Sequence, residues 1–124
     1  MVLVDSSTWV RVEHERISLA DVAPNETVAV CPVVILEVLR GARQYAATRK
    51  MLMAVEILDD PTPLARFEEA ARLYRECRKA GVTPSAVDCL VAACAIAHGI
   101  TLVHNDADFE HIAHVTGLKL FTRS

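Results

Sequence analysis

Apolar residues fall in short blocks along this chain, and the period within the blocks switches between strand-like and helix-like. Val2–Val4 is a short continuous apolar run and reads as a buried strand. Ser6 or Ser7 suits the cap of a helix reaching about Glu15. Pro24-Asn25 marks a turn, and the β-branched run Thr27–Cys31 predicts a second strand. Pro32 fits the first turn of a helix containing Val33–Ala42, and a further helix covers Tyr45–Val55. After the break at Asp59–Pro63, Leu64–Lys79 keeps helical spacing through Leu64, Phe67, Ala71 and Tyr74, with Gly81 ending it. Ser85–Ala97 is apolar almost all round, which predicts a central helix that stops at Gly99. Thr101–His104 reads as a third strand, Phe109–Val115 as a short helix and Leu118–Phe121 as a last strand. Strands separated by helices predict an α/β fold: three layers, a central parallel sheet of four to five strands flanked by helices, one domain over residues 1–124.

Set against this pattern, a few acids stand out. Asp5 is the only charge in Met1–Val10, Glu37 the only one in Thr27–Leu39, and Asp88 the only one in Ala80–Asn105, histidines aside. Asp106 and Asp108 follow the apolar stretch Ile100–Val103 directly. Desolvating a lone carboxylate is expensive, so acids embedded in core-forming segments with few local cations imply a shared bound cation. In a parallel sheet these positions fall at the carboxyl ends of strands or the starts of helices, so all of them can face one edge. An oxygen-only ligand set of Asp5, Asp88, Asp106 and Asp108, with Glu37, suits one or two magnesium or manganese ions. Taken singly, Asp5 could merely cap a helix, Glu37 could pair with Arg40, and Asp106-Ala107-Asp108 could be a turn; the coincidence of all of them is the argument.

Four fragments, in order, carry a family resemblance. They are Val2-Leu3-Val4-Asp5-Ser6-Ser7, Glu37-Val38-Leu39-Arg40-Gly41, Asp88-Cys89-Leu90-Val91-Ala92-Ala93 and His104-Asn105-Asp106-Ala107-Asp108-Phe109. With them the chain resembles the PIN domain and, within that family, the VapC-type ribonuclease toxins of bacterial toxin–antitoxin pairs. The resemblance implies a PIN-like fold, metal-dependent endoribonuclease activity, homodimerisation and a small cognate antitoxin. By matching position it implies that Asp5, Glu37, Asp88 and Asp106 are the catalytic acids. Asp108 is then a further metal ligand, ranked below Asp106, and Ser7 and Asn105 are polar neighbours of the site.

Composition narrows the rest. A 52% apolar chain of 124 residues has the material for a real core. The net charge of -3 gives no whole-molecule attraction to RNA, so any basic footprint is local. Arg40, Arg43, Arg49 and Lys50 form such a stretch, with no acid between them; Arg40 and Arg43 are the candidates for tracking an RNA backbone. The first apolar run meets Asp5 too early for a signal peptide, and the uncharged stretch after Asp88 holds His98, Gly99, His104 and Asn105, which speaks against a membrane span. Four cysteines without a CxxC pair read as reduced thiols of a cytoplasmic protein. Two alternatives stay open at this stage. One is a phosphoacceptor signalling domain of the response-regulator type, with Asp59 as acceptor and Lys119 on the last strand; serines follow Asp5 where that class has a second acid. The other is a PIN-like binding module without catalysis.

Overall fold

Val2, Leu3 and Val4 form the first strand, β1, and all three are buried. Three consecutive buried apolar residues need cover on both faces of a sheet. The computed structural model, which describes residues 1–122, supplies it. Three more strands follow: β2 (Val28–Val30), β3 (Glu56–Ile57) and β4 (Thr101–Val103). They form one parallel sheet in the order β3-β2-β1-β4, with Leu3 in register with Ala29 on one side and Leu102 on the other.

Among the described residues seven helices surround the sheet: α1 (Ser6–Glu15), α2 (Leu19–Val22), α3 (Pro32–Arg40), α4 (Tyr45–Met53), α5 (Pro63–Lys79), α6 (Ala86–His98) and α7 (Ala107–Val115). The chain steps from β1 to β2 to β3 in one direction, then returns to the opposite edge for β4. Right-handed crossovers place the helices of the return connection on the other face of the sheet. Accordingly α1 packs on α3 and α3 on α4, while α5 runs along α6, which also meets α7. The near-uniform apolar character of α6 is explained by its position: Cys89, Val91, Ala92, Ala93, Cys94 and Ala95 are all buried.

The predicted elements recur, but the cap of α1 is Asp5, whose carboxylate accepts the Thr8 N–H, and not Ser6 or Ser7, and there are three further differences. First, the sheet gains β3, where the sequence pattern ran a helix to Val55 and then a loop. Its two residues pair through the backbone with Ala29 and Val30 at the sheet edge, and Glu56 is exposed, so no periodicity announces it. Second, α2 forms from one turn closed by a reciprocal capping box between Ser18 and Asp21. Third, the expected last strand shrinks to a single parallel bridge, Leu102 to Leu120, framed by Leu102 N–H to Lys119 O (2.9 Å) and Phe121 N–H to Leu102 O (2.8 Å). The stop signals act as expected: Gly81 (φ +81°) follows the Ala80 cap of α5, and Gly99 (φ +65°) caps α6.

One polar contact fixes the turn between α3 and α4. Gln44, the N-cap of α4, offers no side-chain cap. Instead Glu13 of α1 accepts the Arg43 backbone N–H (2.9 Å) and the hydroxyl of buried Thr48.

Candidate metal centre

The chain leaves β1 toward β2 and comes back to β4 on the other side, so a crevice opens above the carboxyl ends of this strand pair. Asp5 follows β1, and His104 to Asp108 follow β4. Asp88 enters from the first turn of α6.

Three carboxylates meet there. Asp88, Asp106 and Asp108 each place an oxygen within 4.8 Å of the others. Asp88 is held by Ser85, the N-cap of α6, whose hydroxyl accepts the Asp88 backbone N–H at 3.0 Å. Asp106 is the N-cap of α7 and accepts the Asp108 N–H at 2.9 Å. Two helix N-termini therefore converge on the group and favour its negative charge. Glu37, half-buried on α3, is close enough for its charge to act on Asp88. Burial pushes the Asp88 carboxyl up to about 6, and the charges of Asp106, Glu37 and Asp108 push the same way against the Ser85 hydrogen bond. Among the described residues no ion pair joins Glu37 to Arg40.

Asp5 stands beside this group, not within it. It is buried (2% exposed) and caps α1: one oxygen accepts the Thr8 backbone N–H (3.0 Å), the other the Ser7 hydroxyl (2.6 Å). Burial raises its carboxyl above the ordinary value, while bonds from Ser7 and Thr8 and the nearby His104 hold the rise back. The Ser7 oxygen in turn accepts the Asn105 backbone N–H (3.2 Å), which ties Asp5 to the residue before Asp106. Asn105 also receives Arg11 Nη1 at 3.4 Å. Ser7 and Asn105 thus link Asp5 to the loop that carries Asp106. Arg40 and Arg43 are exposed on the far part of α3 and its following turn, and Arg43 donates its backbone N–H to Glu13.

Three further contributors escape the sequence reading. Ser85 and Asp88 have the spacing of a helix cap, a signal available in the sequence. His104, whose Nδ1 contacts the Asp106 backbone at N–H (3.3 Å) and carbonyl (2.8 Å) and whose ring tilts on Phe109, is legible only in three dimensions. So is Arg11.

The donor set fits a hard divalent cation. Magnesium or manganese binds carboxylate oxygens at about 2.0–2.1 Å, so oxygens on one ion stand up to about 4.2 Å apart. The three acids already lie near that span. Asp88, Asp106 and Asp108 are the residues that would hold such an ion.

Comparison with known proteins identifies the family and the fold. The PIN domain family model matches residues 2–115. A VapC ribonuclease of Mycobacterium bovis is 34% identical over 130 residues, covering 96% of each chain. Ribonuclease VapC11 of Mycobacterium tuberculosis shows the same 34% identity and coverage. Among solved structures, VapBC2 from Rickettsia felis bound to a DNA fragment from their promoter aligns with a TM-score of 0.74 at 21% identity, over 98% of both chains. FitAcB from Neisseria gonorrhoeae aligns at 0.65 and 19% identity, over 98% of this chain and 97% of that one. These structural likenesses bear on the fold; the sequence matches set the family, and with it the phosphoacceptor alternative falls away, since Asp59 sits beyond the edge strand β3 and not at the crevice over β1 and β4. The chain belongs to the PIN domain family, in the branch that holds the VapC proteins.

Proposed function

We propose that this protein is a magnesium- or manganese-dependent endoribonuclease and the toxin of a toxin–antitoxin pair. The observation that carries the reading is the meeting of Asp88, Asp106 and Asp108 at the carboxyl edge of the sheet, in a chain 34% identical to named ribonucleases. A divalent ion bound by these acids supplies what phosphodiester hydrolysis needs, an activated water and a stabilised leaving oxygen. The chain's own residues prepare the place. Ser85 and the two helix N-termini orient the ligands. Glu37 adds charge that favours uptake of one or two cations. Asp5, fixed by Ser7 and Thr8, completes the acidic set from the β1 side. Ser7 and Asn105 keep the β1 and β4 loops in register. Arg40 and Arg43 offer cations to the RNA backbone.

The antitoxin partner is supported by the VapBC2 neighbour. An acidic crevice of this kind is open to an inserted arginine, which pairs with carboxylates in bidentate fashion. Leu36, Tyr45, Met51 and Met53 on α3 and α4 are exposed apolar side chains and offer a surface for the antitoxin or for a homodimer. No helix among the described residues is long and apolar enough to cross a membrane. As a ribonuclease toxin the chain acts on RNA in the cytoplasm.

The test has two parts. The purified protein should cleave RNA with manganese and lose cleavage in EDTA; activity that survives exhaustive chelation removes the metal mechanism. Expression of the chain alone should arrest bacterial growth, and Asp88→Asn should release it. Normal growth with abundant folded wild-type protein removes the toxin role. RNA binding without cleavage at any metal concentration leaves a binding module in its place.

A further inference from the structure

A second chemical feature lies away from the acids. Between α3, α5 and α6 a cavity of about 510 Å³ opens to the surface, lined by Cys31, Leu36, Asp60, Arg66, Phe67 and Cys94 among others. Its walls are apolar, but two thiols form part of its lining. Cys31 is the N-cap of α3 and Cys94 sits on the third turn of α6; both are free and buried, they line the same cavity where α3 meets α6, and each is close enough to act on the other's titration. Cys94 Sγ also lies 3.8 Å from His98 Nδ1, and that nitrogen donates to the Cys94 carbonyl at 2.9 Å. Two acids, Asp59 and Asp60, line the same cavity; Asp60 acts on Cys94 and is tied to Arg66 at 2.7 Å, which offsets its repulsion of a thiolate.

We propose that Cys94 and Cys31 form a peroxide-oxidisable dithiol, with Cys94 the attacking thiolate and Cys31 the resolving thiol. The neighbouring Cys31 thiol and the adjacent His98 pull the Cys94 thiol down from its ordinary range against the effect of burial, while the same pairing and burial push Cys31 up. The other two cysteines provide an internal contrast. Cys77 and Cys89 are fully buried and absent from this cavity, and burial pushes both thiols up, Cys89 to about 11.

The chemistry balances with hydrogen peroxide as the oxidant. The Cys94 thiolate attacks one peroxide oxygen, the O–O bond breaks, and hydroxide leaves to become water, giving a sulfenic acid. Cys31 then attacks the Cys94 sulfur, the S–O bond breaks, and the departing hydroxide takes the Cys31 proton as water. Two thiols and one peroxide become a disulfide and two waters, with two electrons passing from sulfur to oxygen. The new bond would tie the start of α3, the helix that carries Glu37, to α6, the helix that carries Asp88.

Peptide mass spectrometry on the intact chain tests this. The folded protein is treated with hydrogen peroxide, then unfolded and its remaining thiols alkylated. The expected product links the Cys31 and Cys94 peptides, while Cys77 and Cys89 stay alkylatable and react at least about tenfold more slowly. In Cys31→Ser, dimedone should trap a sulfenic acid on Cys94; in Cys94→Ser, Cys31 should stay reduced. Circular dichroism confirms that each variant is folded. The proposal is overturned if peroxide leaves both thiols free in the folded wild type, if Cys77 or Cys89 oxidises as fast as Cys94, or if Cys31 oxidises at the wild-type rate in Cys94→Ser.

Discussion

Asp5 and Asp88 both stand at the carboxyl edge of the sheet, and both carboxyls are raised above their ordinary value, yet for different reasons. Asp5 is the more deeply buried, and two donors from its own helix answer its two oxygens. Its environment is built into the start of α1. Asp88 is half-exposed, and like charges add to the effect of burial. Its environment is a deficit of positive charge. The comparison separates an acid that the fold largely supports from a group of acids that the fold leaves in conflict, and the second arrangement has the more to gain from a cation.

The sharpest test of that separation is activity. Asp88→Asn and Asp106→Asn are near-isosteric and remove a ligand charge, so RNA cleavage should fall by about 100-fold or more, beyond the usual effect of altering a residue that only orients a ligand. Asp108→Asn should be milder. Equal losses in all three, measured as initial rates at saturating manganese, would give Asp108 the same standing as its neighbours.

Stability should divide the two places next. Asp5→Ala loses a helix cap that Asp5→Asn retains, so in metal-free urea melts it should be the less stable of the two by about 1–2 kcal/mol. Asp88→Asn should instead exceed the wild type near pH 7. The sign follows from the raised value: a folded-state pKa of about 6 against 3.8 means that the fold prefers the protonated carboxyl. That contribution is fully present below about pH 3.8 and is lost as pH rises through about 6; the loss amounts to about 1–3 kcal/mol after allowance for solvent. Melts of wild type and Asp88→Asn from pH 4 to 7.5 should therefore diverge across that window and reconverge when manganese is added to the wild type. Parallel curves would mean that neither burial nor the like charges raise the Asp88 carboxyl in solution.

The smallest effect lies outside both places. Replacing Arg40 and Arg43 with Ala should weaken RNA binding and reduce the slope of log affinity against log salt by up to about 1.4, at roughly 0.7 per phosphate contact on a single strand. An unchanged slope, read by fluorescence anisotropy, would return both residues to the solvated face of the protein.

Much of this was legible in the sequence because the strongest signals are local. The run Val2–Val4 followed by Asp5 and two serines gives strand and helix in six residues, and α1 ends at Glu15 as its pattern predicts, although its cap is Asp5 and not a serine. The uncharged stretch around Asp88 gives a central helix with an acid in its first turn. What stayed hidden depends on long-range pairing. β3 is a two-residue strand with an exposed Glu56, and only its backbone partners in β2 define it. The division between Asp5 and the three-acid group is equally non-local: acids that look alike along the chain differ because Ser7 and Thr8 occupy one of them, whereas Asp106 and Asp108 face Asp88 from another helix. The juxtaposition of Cys31 and Cys94 arises only where α3 meets α6.

The strands of this sheet are three residues long at most. That brevity has an evolutionary consequence. A residue inserted in β1 would turn alternate side chains to the opposite face and carry Asp5 along by about 3.3 Å, with no spare strand length to absorb the slip. Leu3 and Val4 in the core and Asp5 at the crevice are consecutive, so the same indel would strike packing and chemistry together. Length variation in such a lineage has to settle in exposed connections such as Gly41–Gln44 or Asp59–Thr62, and the strand ends are left as the least editable text of the gene.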